Sequence, residues 1–282
     1  MNTNGNSADR IANATQQRFG ERIEPEPDAV GLETIATMLE HSTFRQWDER
    51  PVDAGLLRLL YAAAFSSPSK GDMQQADIIQ VVDPAIHESI ADLIGGMDWI
   101  RKAPVLLIFC GNGRRMQRVA EWRGKSFEND RLDHFFNVTC DAALVLGRFL
   151  GAAEASGLGC CPVSAVRDKP DEISEILGLP DGVFPIAGLC AGYPSGAGRV
   201  TPRLPLDVTL HTDHYDETRL PQLIDTYDRR RHDLAPYNSQ REVERFGWAD
   251  SYTWTEQMAR QCGMPERQDF GAFVRAKGFS LD

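Results

Sequence analysis

The segment "HFFNVTCDAALVLGRFLGAAEAS", residues 134–156, decides the fold because it is apolar around much of a helical circumference. It is rich in Ala and Gly, and "GLG" at 157–159 ends it. A helix that lacks a wide polar face belongs in the centre of a domain or in a subunit interface. The segment therefore predicts a long central helix.

Segments with strand character lie on both sides of this helix. "APVLLIFC" (103–110) is apolar throughout and predicts a strand buried on both faces. "DIIQVVD" (77–83) and "VFPIAGLCAGYP" (183–194) predict two more strands, and "CCPVSAV" (160–166) predicts a short extended segment. A helix is predicted before them over 52–65, with Asp53 as N-cap, and helices are predicted between them over 84–94, with Pro84 in the first turn, and over 170–180. Strands separated by helices give an α/β or α+β sheet core.

The two ends of the chain are more polar than its middle. Residues 1–30 are predicted as a flexible arm that is partly helical between Ala8 and Phe19, with "EPEPDA" as its linker. The core is predicted over 31–218 and begins with a helix that places Leu32, Ile35, Met38 and Leu39 on one face. Residues 219–282 are predicted as a charged, helical C-terminal extension.

Composition excludes several classes of function. The 282 residues carry a net charge of −11, which disfavours double-stranded nucleic acid as a partner. No apolar run has the length of a membrane span, and the N-terminus lacks the pattern of a signal peptide. The six cysteines show neither Cys-x-x-Cys nor a zinc spacing and are interpreted as reduced thiols. We therefore expect a cytoplasmic protein with no metal and no membrane partner.

Two short segments are candidates for binding an anion. "HSTFR" (41–45) places an imidazole, two hydroxyls and a guanidinium at a helix exit, and "TPRLP" (201–205) presents an Arg between prolines. Both arginines are equally compatible with ordinary surface positions. His211 and His214 form a possible metal pair, although an aromatic-rich surface turn is the favoured interpretation. The chain contains no dinucleotide fingerprint, phosphate-binding P-loop or nucleophile elbow.

The order and spacing of five motifs resemble the nitroreductase superfamily, closest to its flavin reductase P group, the major oxygen-insensitive NAD(P)H nitroreductases. The motifs are "EHSTFRQW", "SSPSKGDMQQADIIQVVD", "GLG…PVSAVR", "GLCAGYP" and "PRLP". The resemblance covers roughly residues 32–215 and returns weakly in "PERQDFGAFVRAKGF". It implies an α+β nitroreductase-like fold, with a mostly antiparallel central sheet flanked by helices. It also implies an intertwined homodimer that binds FMN noncovalently and takes electrons from NAD(P)H.

The same resemblance implies which residues hold FMN. It implies that the phosphate and ribityl chain are bound by the "HSTFR" motif, by the hydroxyl-rich loop "SSPSKG" (66–71) and by the "TPRLP" segment. It also implies that backbone amides contact the N5 and O4 edge of the flavin. The residues concerned are His41, Ser42, Thr43, Arg45, Ser69, Thr201 and Arg203 for the former, and Val163, Ser164 and Ala165 for the latter. No side chain is expected to act as nucleophile or general base, because the flavin carries the chemistry.

The sequence departs from its close relatives at several of these places. Ser42 stands where they often have Arg, Thr201 where they have Lys, and Met97 where they have Gln. Arg199 is a candidate for the lost charge at Thr201. The segment "EVERFGWADSYTW" (242–254) is an insert relative to the usual C-terminal tail of the family. "DRRRHD" (228–233) is either a contact for the 2′-phosphate of NADPH or a charged, solvated helix end.

The resemblance implies an FMN-dependent NAD(P)H oxidoreductase. It would reduce nitroaromatics, quinones or free flavin by a ping-pong hydride mechanism, and the acceptor would be a small planar molecule. Two alternatives remain open. One is a specialised flavoenzyme of a biosynthetic or degradative pathway, which the departures suggest. The other is a non-catalytic flavin-binding protein.

Overall fold

The computed structural model describes residues 6–26 and 28–282. Its four strands and the helices between them lie in the middle of the chain, with three α-helices before the first strand and five α-helices after the last. The helices are α1 (Ser7–Phe19), α2 (Leu32–Leu39), α3 (Ala54–Phe65), α4 (Pro84–Ile94), α5 (Arg114–Trp122), α6 (Leu132–Ala155), α7 (Pro170–Ile176), α8 (Leu206–Thr209), α9 (Leu220–Leu234), α10 (Val243–Phe246), α11 (Trp254–Cys262) and α12 (Phe270–Ala276). The strands are β1 (Ala76–Val81), β2 (Val105–Asn112), β3 (Gly159–Val163) and β4 (Val183–Gly192).

The described residues form two compact units. Unit 1 contains those up to Ser42 together with Arg199–Glu266, and unit 2 contains Thr43–Gly198 together with Arg267–Asp282. This division does not coincide with the segment limits that the sequence predicts at residues 30 and 218. Those limits remain a prediction of where domains begin and end. The sheet, α3 to α7 and α12 belong to unit 2, whereas α1, α2 and α8 to α11 belong to unit 1.

The sheet of unit 2 is antiparallel throughout, in the order β1-β2-β4-β3. All residues of β2 are buried, and its side chains alternate between two apolar clusters. Leu107 and Phe109 pack with α3 and α6, whereas Leu106 and Ile108 pack with α4 and α7. The structure therefore confirms the strand predicted to be buried on both faces, and with it the antiparallel α+β fold.

Local signals set several helix ends as expected. The Asp53 side chain accepts a hydrogen bond from the Leu56 amide at 2.9 Å, so the predicted N-cap of α3 is confirmed. Pro84 occupies the first turn of α4, where its missing N–H has no partner to lose. Gly157 follows α6 with a φ of 80°, a conformation that disfavours other residues.

One local prediction is corrected, and another is confirmed. The extended segment expected over 160–166 is a strand only as far as Val163, because Ser164–Arg167 turn into a short 3-10 helix. The helix over Leu32–Leu39 is confirmed, but its apolar face is not buried within the chain. Ile35 is 44% exposed and Met38 is 62% exposed, whereas Ala36 is completely buried.

The N-terminal arm contains a docked helix. The helix expected between Ala8 and Phe19 is confirmed as α1, and its side chains Ile11, Ala12 and Ala14 are buried. Arg10 donates to Glu40 and to Glu33, which tie α1 to α2. Residues 1–5 and 27 of the predicted arm lie outside the described residues.

Helix α6 is long and apolar enough to cross a membrane by length and composition alone, and it is the one such helix in the described chain. The expectation that no segment reaches this length counted only uninterrupted apolar runs, and α6 is interrupted by Asp141 and Arg148. The core helix of a soluble protein passes the same test. Val138, Ala142 and Phe149 of α6 are fully buried against the sheet and α3.

Candidate functional site

The two segments predicted to hold phosphate meet at Arg18 in unit 1. The Arg18 guanidinium donates from Nε to the Leu39 carbonyl at 3.0 Å and from Nη2 to the His41 carbonyl at 2.7 Å. Its Nη1 donates to the Thr201 carbonyl at 3.3 Å. The Arg203 amide in turn donates to the Arg18 carbonyl at 2.6 Å. His41 and the Thr201–Arg203 stretch are therefore neighbours in unit 1.

A second arginine, Arg230, contacts the same part of unit 1. Arg230 on α9 donates from Nη2 to the carbonyls of Arg18 at 3.0 Å and Arg203 at 3.1 Å. Gly20, which ends α1 with a φ of 79°, gives it room, because a Cβ there would lie 3.0 Å from Arg230 Nε. Burial lowers the pKa of Arg230. Within "DRRRHD", Arg230 is thus held against Arg18 and Arg203 and is not a solvated helix end.

Ser42 and Thr201 have hydroxyls with local partners. Ser42 is buried, and its Oγ donates to the Glu40 carbonyl at 3.1 Å. The Arg203 Nη1 donates to Thr201 Oγ1 at 2.7 Å. Arg199, the candidate for the lost charge, donates to the Leu234 carbonyl at 2.7 Å.

Thr43 and Arg45 begin unit 2 and run alongside β3. Thr43 pairs with Cys160, and the Phe44 amide donates to the Cys160 carbonyl at 2.9 Å. Gly159 permits this approach, because a Cβ at that position would lie 2.7 Å from the Phe44 ring. The Arg45 guanidinium lies 5.6 Å from the centre of the Trp99 ring.

The predicted flavin-edge residues follow directly at the end of β3. Val163 and Ala165 are buried, and Ser164 is exposed. Ser164 and Ala165 open a 3-10 helix, and the first amides of a helix have no acceptor inside it. Arg267 fixes this turn, because its Nε donates to Asp168 Oδ1 at 2.7 Å and its Nη2 to Ser164 Oγ at 3.3 Å.

Ser69 lies in a loop that is organised by a buried carboxylate of α6. Ser69 Oγ donates to Asp141 Oδ2 at 2.7 Å and accepts from the Gln74 amide at 2.7 Å. The amides of Lys70 and Gln75 donate to Asp141 at 3.0 and 3.2 Å. The hydroxyl predicted to contact the cofactor therefore has two partners within the protein.

Met97 lies before the short 3-10 helix Ile100–Lys102. Its side chain is half-buried and packs against the apolar cluster of β2, α4 and α7. The Ile100 amide donates to the Met97 carbonyl at 2.9 Å. This packing is compatible with both interpretations of Met97, as a flavin contact and as a residue of the turn.

Sequence reasoning missed Arg18 and Asp141 as residues that organise the candidate site, and it considered Arg230 only as part of "DRRRHD". Arg18 stands alone in a polar arm, and its partners lie 21 and 183 residues away. Asp141 is recognisable in the sequence, because it is the only carboxylate in the first fourteen residues of the segment 134–156. A carboxylate inside an apolar helix is costly to bury unless hydrogen bonds compensate it.

The remaining histidines and the cysteines are spread over the described part of the chain. The His211 ring is tilted against the Tyr215 ring, with ring centres 4.6 Å apart, and both residues line a surface cavity of about 290 Å³. Within residues 6–26 and 28–282, no three His, Cys, Asp or Glu side chains are grouped to hold a metal. All six cysteines are free. Burial raises the pKa of the Cys110 thiol to about 12 and that of the Cys161 thiol, which Arg45 opposes.

Two regions of the chain match family models. Residues 95–193 match the nitroreductase family, and residues 201–282 match the C-terminal domain of the same family. An FMN reductase of Bacillus subtilis (strain 168), described as using NAD(P)H, is 33% identical over 224 residues, which are 78% of this chain and 89% of the relative.

The chain belongs to the nitroreductase family.

Other relatives agree with this membership. The Cr(VI) reductase of Pseudomonas sp. (strain G-1) is 29% identical and covers 85% of this chain and 96% of its own. The solved structure of NfrA2 from B. megaterium has a TM-score of 0.80 at 30% identity and covers 89% of this chain and 99% of its own. The family and the fold predicted from the motifs are thus confirmed. Helix α1 precedes both regions that match the family models.

Proposed function

We propose that this nitroreductase is an FMN-dependent oxidoreductase that passes two electrons from NAD(P)H to a small planar acceptor in a ping-pong reaction. The names of its relatives support the oxidoreductase class and the pairing of FMN with NAD(P)H. When bound, FMN supplies the two-electron hydride chemistry. The acceptor is a nitroaromatic, a quinone or free flavin.

The observation that carries the proposal is the gathering of donors around Arg18 in a chain of net charge −11. The His41 and Thr201 carbonyls both accept from Arg18, and Arg203 and Arg230 adjoin it. A phosphate dianion requires such local donors on an acidic protein, and planar guanidinium groups suit it. The residues present therefore fit the phosphate of FMN.

The proposal assigns the other contacts with FMN to the residues predicted from the sequence. His41, Ser42, Thr43 and Arg45 would bind the phosphate and ribityl chain, with Ser69, Thr201 and Arg203. The amides at Val163, Ser164 and Ala165 would donate to the electron-rich edge of the ring. Preorganised amides stabilise charge that develops on a reacting group without reorganising themselves.

A homodimer belongs to the same proposal. Helices α3 and α6 pack together, yet large apolar side chains on them remain exposed within the chain. Leu59 is 66% exposed, Phe65 49%, Phe136 63% and Leu144 48%. Apolar patches of this kind mark interaction surfaces. A second copy of the chain would cover them, and light scattering that shows a stable monomer with bound FMN would contradict this.

A cytoplasmic location is also part of the proposal. Six free cysteines, four of them buried, suit a compartment that keeps thiols reduced.

The first experiment identifies the flavin and its reduction. Purified protein should be yellow, should release FMN on heating or acid treatment, and should bleach when NADH or NADPH is added without oxygen. Yellow protein that neither nucleotide bleaches would indicate a non-catalytic flavin-binding protein. Protein that rejects FMN, or that carries FAD or covalent flavin, would contradict the proposal.

The second experiment tests the phosphate ligands. Arg203→Ala and Arg45→Ala should each weaken FMN binding by about 1.5–3 kcal/mol, the range for hydrogen bonds to charged groups. Arg229→Ala is the matched control, because Arg229 is an exposed arginine of unit 1 that pairs with Asp225 at 2.9 Å. FMN titration by fluorescence quenching measures all three. An unchanged affinity in both test variants would remove Arg203 and Arg45 from the site.

A further inference from the structure

The turn that follows β3 is restrained at both of its ends by Arg267. The Arg267 guanidinium donates from Nε to Asp168 Oδ1 at 2.7 Å, and Asp168 caps the end of the turn. Its Nη2 donates to Ser164 Oγ at 3.3 Å and to the Ser164 carbonyl at 3.4 Å, where the turn begins. A guanidinium presents its N–H donors in a rigid planar fork, so it can bridge two points at a fixed separation. Arg267 therefore restrains the whole turn Ser164–Arg167.

The backbone of Arg267 has an uncommon conformation. Its φ is 50°, in the left-handed region that residues other than glycine, asparagine and aspartate seldom adopt. Such a conformation persists where the surrounding structure determines it, and residues of this kind are concentrated at functional sites. The Phe270 amide donates to the Arg267 carbonyl at 3.1 Å, while Ser164 and Asp168 accept from the side chain. The contacts that restrain the turn thus also maintain the left-handed backbone of Arg267.

We propose that Arg267 is a positioning residue for the backbone amides at Ser164 and Ala165, so that the segment Arg267–Asp282 of unit 2 takes part in setting the reduction potential of the bound flavin. The inference rests on the function proposed above, which assigns these amides to the electron-rich edge of the flavin ring. Reduction adds negative charge to the ring, so amides held in a fixed orientation stabilise reduced flavin more than oxidised flavin. Loosening the turn should therefore lower the midpoint potential.

The C-terminal segment is anchored to unit 2 by contacts other than those of Arg267. Phe273 and Val274 of α12 are buried in the apolar core. The Lys277 carbonyl accepts from the Gly182 amide at 2.7 Å. Substitution of Arg267 should therefore leave α12 in place while it releases the turn. This separation allows the effect on the flavin to be measured in a folded protein.

Charge and positioning predict opposite effects for the two partners of the contact. Arg267 is positive and Asp168 is negative, and substitution of either one breaks the same hydrogen bond. If the pair acted on the flavin only through its charges, removing Arg267 would lower the midpoint potential and removing Asp168 would raise it. If the pair acts by holding the turn, both removals should lower the potential. Arg267→Gln and Asp168→Ala are therefore the two main variants.

The test measures midpoint potentials of the FMN-loaded, full-length protein by spectroelectrochemistry, with FMN titration and urea unfolding on the same preparations. We expect Arg267→Gln to weaken binding of reduced FMN about tenfold more than binding of oxidised FMN, the lower end for a hydrogen bond to a charged group. For a two-electron couple, this lowers the potential by about 30 mV. Asp168→Ala should lower it by less, because loss of a negative charge offsets part of the change.

Two further variants separate the fork from the charge. Arg267→Lys keeps the positive charge but cannot bridge both ends of the turn, so it should also lower the potential. Arg275→Gln is the matched control, because Arg275 is exposed on α12 in the same segment. Its potential should equal that of the wild type.

Several results would overturn the inference. One is an unchanged potential in Arg267→Gln, including the case in which the variant is less stable or binds both redox forms of FMN equally less tightly. Others are a raised potential in Asp168→Ala, a wild-type potential in Arg267→Lys, and an equal loss in Arg275→Gln. Failure of the proposed function is visible before any variant is made, as wild-type protein that binds no FMN or whose bound FMN neither NADH nor NADPH reduces.

Discussion

The buried carboxylate of Asp141 should be a major source of stability for the loop before β1. It lies on α6, is 3% exposed, and accepts from Ser69 Oγ and from the amides of Lys70 and Gln75. Gln75 then continues the link to the sheet, because its carbonyl accepts from the Asn112 amide at 2.9 Å. Asp141→Ala removes the acceptor at the centre of this network.

The expected loss follows from the burial of the partners. A hydrogen bond to a charged group contributes about 1.5–3 kcal/mol, and a buried donor left without an acceptor costs about 1–3 kcal/mol. Lys70 is exposed and Ser69 half-buried, so water can replace Asp141 there, whereas Gln75 is completely buried and its amide stays unpaired. Removing a buried charge offsets part of this loss. We expect a net destabilisation of about 3 kcal/mol for Asp141→Ala, and about half of that for Asp141→Asn, which keeps one neutral acceptor.

Urea unfolding followed by circular dichroism measures the change, with hydrogen exchange at the Gln75 amide as a local readout. Asp133→Ala is the control on the same helix, because Asp133 is exposed and accepts from Asn137 Nδ2. Its loss should stay below about 1 kcal/mol, the range for an exposed carboxylate in the first turn of a helix. If Asp141→Ala costs no more than Asp133→Ala, the network does not hold the loop and the reasoning is refuted.

Three further predictions concern protonation, thiols and the flavin. Burial lowers the pKa of His134 from its ordinary 6.5, so the unfolded chain binds a proton that the folded protein does not. Unfolding free energy should therefore fall as the pH drops below that value, and His134→Phe should reduce this slope while the exposed His232→Gln keeps it; equal slopes in all three proteins would argue against the assignment. Maleimide should label the exposed Cys262 first and the half-buried Cys140 more slowly, with the other four thiols reacting only on unfolding; peptide mapping that finds early label elsewhere would contradict the burial pattern. Met97→Gln should raise the flavin midpoint potential by about 10–30 mV if one added hydrogen bond stabilises the reduced ring; an unchanged or lower potential in spectroelectrochemistry would place Met97 outside the flavin site.

The fold was predictable where the signal is local or strictly periodic. β2 is apolar at every position, and only a strand with a layer of helices on each face can bury it, which is what α3 and α6 on one side and α4 and α7 on the other provide. The cap of α3 depends on Asp53 and an amide three residues later. Neither inference needs information about distant parts of the chain.

Only some residues of the candidate site were predictable from the sequence. The motifs identified His41 and Arg203, but not Arg18, which joins them through carbonyl oxygens. Backbone carbonyls have no sequence signature, since every residue carries one. An arginine whose partners are carbonyls therefore looks like a surface arginine until the structure shows that it is buried.

The C-terminal segment shows why stretches of sequence and structural units need not coincide. Residues 219–282 are charged and contain four helices, which suggests one extension, yet Arg267–Asp282 belong to unit 2. Phe273, Val274 and Phe279 are buried in the apolar cluster that α6 and β4 share. Three buried apolar side chains within seven residues outweigh the charged positions between them, because burial of each stabilises the fold by about 1.5–3 kcal/mol while exposed charges contribute little. Residues 267–282 are thus a component of the core of unit 2, and the average polarity of the whole segment conceals the few residues that determine where its end packs.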